Sequence, residues 1–233
     1  MFKKKVFALT AVFLLFSLVV DAADAQPRRR NQRIEPLPEH SRVLVMMPDV
    51  QLSLLTAAGL PEPREDWSVA GRDNLAQSLA ALVGREQHVP SALNPAEAME
   101  GRTGQIIRLH DVVGGAILAN RTPATQLPTR KNNNVWTLGD GVQELGAAYE
   151  ADYALFVVAR GSYASGARAA AALVGLVAGV YIPMGGQQTF ASLVDLRTGQ
   201  VVWFNFVTAG ANDMREADGA NALVLELMRG APL

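Results

Sequence analysis

Apolar residues recur along this chain in two rhythms, and the switches between them mark its elements. At Tyr153–Arg160 the run Tyr153-Ala154-Leu155-Phe156-Val157-Val158 is apolar at odd and even positions alike. That is the pattern of a strand central in a sheet and covered on both sides. Thr189–Leu196 and Gln200–Val207 share the character and flank Arg197-Thr198-Gly199. Gly199 supplies positive φ there, and the Asp195 carboxylate accepts backbone N–H groups across the turn. A β-hairpin is predicted, with Val202, Phe204 and Phe206 on one face and Val201, Trp203 and Val207 on the other. Only Asn205 breaks the pattern. Arg42–Met47, ended by Pro48, reads as a buried first strand, and Gln87–Val89, stopped by Pro90, as a second short one.

Helical spacing fills the intervals. Leu75, Leu79, Leu82 and Val83 share one helical face, with Asp66 as the cap and Gly84 as the closing residue. Val50–Arg64, punctuated by Gly59, Pro61 and Pro63, reads as loop with a short helical turn. Asn94-Pro95-Ala96-Glu97 has the chemistry of a helix start, ahead of a stripe of Ile106, Leu109, His110, Val113 and Ile117 across Gly104–Asn120. Arg121–Asn134 is a polar loop. Thr137-Leu138-Gly139-Asp140 matches a capping pattern before Val142, Leu145 and Tyr149, and Asn212 or Asp213 caps a last helix carrying Ala220, Leu223, Val224 and Leu227, ended by Gly230. The order predicts one α/β domain over residues 42–230. It has a mixed β-sheet of about five strands with helices packed on it, a β-α-β start, and a C-terminal β-hairpin plus helix.

The insert Ala164–Gly186 follows neither rhythm. Ala169–Met184 carries no charge and almost no polar atom. Gly175 and Gly179 are four apart, so on a helix they share a face and let another backbone approach, with Leu173, Leu176, Val177 and Val180 around the groove and Tyr181 just beyond. About 16 residues fall short of a membrane crossing, and a single pass would put neighbouring strands on opposite sides of the bilayer. Three readings stand: a helix or hairpin packed on the domain's own sheet, a self-association surface using the small-residue groove, and a loop that dips into a membrane or helps line a pore in a ring.

The start of the chain reads as an export signal. Lys3–Lys5 are the charged beginning, Val6–Val20 the apolar run and Ala23-Asp24-Ala25 the cleavage site, giving a signal peptide over residues 1–25. Residues 26–41, rich in Arg, Pro and Glu, read as a disordered tether. The net charge is −1, and losing three lysines and two aspartates with the signal makes it −2. A near-neutral surface argues against nucleic acid as a partner. There is no cysteine, which excludes disulfides, thiolate metal sites and the acylated cysteine of a bacterial lipoprotein. Export without disulfides fits a bacterial periplasm.

Candidate chemistry is sparse. His40, His88 and His110 are scattered, without metal-ligand spacing. Ser165 lacks the flanking glycines of a nucleophile elbow, having Tyr163 and Ala167 there. Gly139-Asp140-Gly141 has Glu144 where a third dinucleotide glycine belongs. Glu65-Asp66 and the Glu150/Asp152 pair sit at element ends, where capping accounts for them. No catalytic residue, cofactor or metal is expected. A pocket joining His110 to a serine and a carboxylate would point to a hydrolase instead.

The helix end Gly146-x-x-Tyr149-x-x-Asp152 ahead of the central strand, the insert, and above all Leu193–Trp203 with its Asp195-x-x-Thr198-Gly199-x-x-x-Trp203 hairpin resemble a bacterial envelope superfamily. That superfamily includes the amino-terminal domain of the Tol-Pal translocation protein, the curli secretion-channel lipoprotein and the lipoprotein activators of penicillin-binding proteins. The resemblance spans Arg42–Arg229 in element order and departs from the lipoprotein members in lacking their cysteine. It implies a non-enzymatic envelope accessory protein acting by assembly or protein contact. The partner expected is a second copy or another envelope protein, with membrane contact through residues 164–186. The competing reading is a periplasmic hydrolase or small-ligand-binding protein with an unrecognised site.

Overall fold

The computed structural model describes residues 35–121, 124–130, 135–209 and 212–233. The expected signal peptide, 1–25, and residues 26–34 of the expected tether lie outside these. The described chain is a mixed α/β domain whose seven strands form one sheet: β1 (Arg42–Val45), β2 (Asp49–Leu55), β3 (Pro61–Pro63), β4 (Val89–Ala92), β5 (Tyr153–Ala164), β6 (Gly185–Asp195) and β7 (Val201–Ala209). Five helices accompany it: α1 (Glu65–Arg85), α2 (Gly101–Ala119), α3 (Gln143–Tyr149), α4 (Gly166–Val177) and α5 (Ala217–Leu227).

The doubly apolar run at Tyr153 is the centre of the sheet. β5 pairs antiparallel with β6 on one side, and parallel with β1 and then β2 on the other. β1 and β2 act as one strand with an irregularity. Val45 lies opposite Leu155 and Asp49 opposite Val158, so one extra residue is absorbed around Met46–Pro48. Pro48 has no N–H to offer the ladder and stands where the ladder is interrupted. β4 continues the sheet beside β1, parallel, and β3 beside β2, antiparallel. The sheet is five strands wide across β4, β1, β5, β6 and β7, in line with the expected mixed sheet of about five strands, and narrows to four along β2, although seven segments build it.

Several local expectations are corrected. Val50–Arg64 is not a loop with a helical turn: it holds β2, whose Val50 and Leu52 are buried, and β3. The β-α-β start accordingly carries two more strands between β1 and α1. Asp66 does not cap α1; it lies in the first turn, bonded to the Arg64 guanidinium, where a carboxylate suits the helix dipole. Gly84 is inside α1, and the chain reverses at Gln87, φ 63°. The second short strand is Val89–Ala92 and runs through Pro90, which an edge strand tolerates. Asn94 caps a local turn, accepting from the Ala96 N–H, and α2 begins later, at Gly101. Asp213 caps a turn at Arg215, and α5 begins at Ala217. Leu37, in the expected tether, donates its N–H to Pro232 and packs on the core.

Each face of the sheet has its own core. On one face Val43, Val45, Leu155, Val157, Leu193 and Trp203 pack with Leu75 and Leu79 of α1 and Leu223, Val224 and Leu227 of α5. On the other, Leu44, Met46, Ala154, Phe156 and Val194 pack with Ile106 of α2 and Val142 and Leu145 around α3. A register shift between Leu193 and Val194 reassigns the start of β7. Val202 joins Trp203 and Val207 on the first face, while Val201 joins the second, correcting the predicted grouping. Asn205 is buried on the first face because its Nδ2 donates to the Leu227 carbonyl, 2.6 Å away, at the end of α5. The residue that broke the apolar pattern satisfies a helix terminus.

Candidate functional site

The insert forms α4 and a return segment, Ala178–Met184. Ser165 is the N-cap, its Oγ accepting the Arg168 N–H, and the run Ala169–Ala172 supplies helix propensity without long side chains. Arg168 is buried and holds the element to the domain: Nε donates to Pro183 O at 2.7 Å, and Nη1 reaches Thr56 O and Ala57 O in the β2–β3 turn.

The helix closes by a Schellman motif. Val180 N donates to Gly175 O and Gly179 N to Leu176 O, with Gly179 at φ 73°. Gly175 is buried because the return segment lies on it; a Cβ there would stand 2.9 Å from Val180 O and 3.1 Å from the Ile182 Cδ1. The two glycines thus do not share an open helical groove. Gly179 is past the end of the helix, and the close backbone approach over Gly175 is made by the chain's own return. What does face solvent is the apolar rim around them. Leu173, Leu176, Val177, Val180 and Tyr181 are all exposed, Val177 to 92% and Tyr181 to 83%. Val174, at 72%, and Met184 belong to the same surface. The glycine-centred reading passed over both, although each lies in the uncharged run that marked the segment.

His110 meets a serine and a carboxylate. Its Nε2 is 2.7 Å from Ser192 Oγ, and Nδ1 is 3.9 Å from Asp111 Oδ1. Ser192 is on β6, 82 residues away in sequence, so no local motif announces the pair. The site is closed. Ser192 is 0% and His110 2% exposed, the imidazole is stacked on Phe156 at 4.2 Å, and Phe190 lies 6.0 Å from it. Gly114 lets α2 settle onto Phe190, where a Cβ would meet the ring at 3.1 Å. Two surface hollows of about 670 and 660 Å³ are lined by other residues. A nucleophile there has no access to substrate, and the contact joins α2 to the sheet. Leu109, expected on the same stripe, is 42% exposed.

Burial holds the His110 imidazole below its ordinary value of 6.5, against the opposing pull of Asp111. The folded state therefore keeps it neutral where the unfolded chain takes up a proton. Stability from this group is complete above about pH 6.5 and is lost as pH falls from there through the lowered folded value. Urea unfolding midpoints should decline over that window, and His110→Gln should flatten the decline. Asp213, held below 3.8 by Arg215, adds a separate loss only at lower pH.

Among the described residues no cluster of three His, Asp or Glu side chains is placed to hold a metal, and no helix is long and apolar enough to cross a membrane.

No family model and no curated protein matches the chain. Among solved structures, lipoprotein GNA1162 from Neisseria meningitidis aligns with a TM-score of 0.33 at 14% identity, over 80% of this chain and 91% of that one. The LpoB C-terminal domain from Salmonella enterica gives 0.30 at 13% identity, over 74% and 84%. The LpoB C-terminal domain from Escherichia coli gives 0.29 at 12% identity, over 75% and 85%. Similarity of this size places the chain in no family.

Proposed function

We propose that this chain is an exported, non-catalytic accessory protein of the bacterial envelope, located in the periplasm, that works by contact through α4 and its return segment. The observation that carries the reading is the group of seven large apolar side chains left in solvent there, from Leu173 to Met184. Monomeric proteins rarely expose contiguous apolar surface on this scale without a use for it. The export-type start of the sequence and the absence of cysteine support the address.

The test is the double variant Leu173→Glu, Val177→Glu. Both positions are exposed, so unfolding free energy should change by about 0.5 kcal/mol or less. Association, measured by sedimentation velocity of the purified chain and by its partition in fractionated envelopes, should fall about tenfold or more, on the scale of losing an interface anchor. Unchanged association in both measurements would remove the reading.

The competing hydrolase reading has one observation in its favour, the His110–Ser192 hydrogen bond. It requires Ser192 to open to solvent. A fluorophosphonate should leave Ser192 unlabelled; labelling would favour the enzyme.

A further inference from the structure

We infer that the surface covering α4 is a lipid bilayer, into whose interfacial region the helix and its return dip without crossing. This rests on the contact role proposed above and names its partner. The first argument is charge. From Ala169 to Met184 the chain has no Asp, Glu, Lys, Arg or His, and the Tyr181 hydroxyl is its one side-chain hydroxyl. A protein interface of standard size carries about ten hydrogen bonds and a polar rim, which this tip cannot supply. A hydrocarbon boundary asks for none, and Tyr181, 83% exposed at the edge of the patch, is the residue type that sits at the headgroup level.

The second argument is the backbone. In an apolar medium every main-chain polar group must be satisfied within the chain. Three N–H groups at the end of α4 are satisfied in this way, Ala178, Gly179 and Val180 donating to Val174, Leu176 and Gly175. The Tyr181 and Ile182 N–H groups make no backbone hydrogen bond among the described residues, which suits the headgroup layer for that part of the return. The third is shape. Leu176, Leu173, Val177 and Val174 spread over an arc of roughly 160° at 100° per residue, wider than the seam of a helix pair. A second copy of the helix would leave part of that arc in water, whereas a bilayer covers it at once. Among the described residues, the tip also lies away from the point where the chain enters the domain. Pro38–Ser41, where the chain enters the domain, line a hollow with Asp152 and Tyr153, and Tyr153 is separated from Ala164 by the length of β5, roughly 36 Å.

The chain has no cysteine, so a single Val177→Cys variant of residues 26–233, which contain both cores, takes one nitrobenzoxadiazole label. With phosphatidylcholine vesicles its emission should shift to the blue and be quenched by a lipid-buried nitroxide, equally at low and high salt. A label at Glu86→Cys, on the exposed end of α1, should do neither. Adding Leu173→Glu should weaken binding about tenfold or more. A blue shift that needs no vesicles and grows with protein concentration would overturn the bilayer in favour of a second copy, leaving the contact role standing. An emission unaffected by vesicles and by concentration would overturn the bilayer, and the contact role would then stand or fall on the partition in fractionated envelopes.

Discussion

Trp203→Ala should lower the unfolding free energy by about 3–5 kcal/mol, the range for truncating a buried aromatic residue. Trp203 is 2% exposed, lies opposite Leu193 at the register shift, and fills the first core between the sheet and the helices α1 and α5. The backbone on either side is held by the β6–β7 ladder, which limits how far the gap can close. Urea unfolding followed by far-ultraviolet circular dichroism measures the loss. A cost near 1 kcal/mol would mean that the first core relaxes around the gap and that the hairpin does not anchor it.

Gly199→Val is expected to cost about 3 kcal/mol, at the upper end for a strained backbone position. Gly199 has φ 71°, a region that a β-branched residue rarely adopts. Its neighbourhood adds a collision, since a Cβ would lie 2.3 Å from the Gly139 carbonyl oxygen. The turn is clasped from outside: Leu138 N and Thr137 Oγ1 both donate to the Gly199 carbonyl. Displacing the turn therefore also displaces the lead into α3. The variant should lose stability and show raised amide exchange at residues 137–139 as well as in the hairpin. Exchange confined to the turn would separate the two effects.

The same hairpin was readable in advance because its determinants are contiguous. Asp195 Oδ1 accepts the N–H groups of Arg197 and Thr198, and Gly199 carries the positive φ. The central place of β5 was equally legible, since a strand apolar on both faces has to be covered twice. The buried face of α1, with Leu75, Leu79, Leu82 and Val83, follows from spacing alone. Helix starts were read less well. Asp66, Asn94 and Asp213 have capping chemistry, but each serves a local turn or an ion pair, and the helix starts where the chain can reach its core. β2 was hidden by Pro48 before it and by Gly59 and Pro61 after it. Its strand character comes from pairing with β5, more than 100 residues away.

The exposed apolar surface of α4 and its return was half legible. Absence of charge marked the segment, but exposure is not a property of sequence. Gly175 and Gly179 had the spacing of a docking groove and are instead consumed in closing and covering their own helix. Likewise His110 and Ser192 are ordinary residues until the fold sets them 2.7 Å apart and seals them.

By itself the sequence determined the alternation of elements, the hairpin turn, the apolar stripes and the uncharged stretch, because each depends on dihedral preference and periodicity within a few residues. Only the tertiary structure decided which faces are covered, where register slips, and that an alanine-rich helix keeps its broad apolar side in solvent. Those outcomes depend on competition between distant segments for the same buried surface, and a linear pattern records what each segment can bury without recording which of them succeeds.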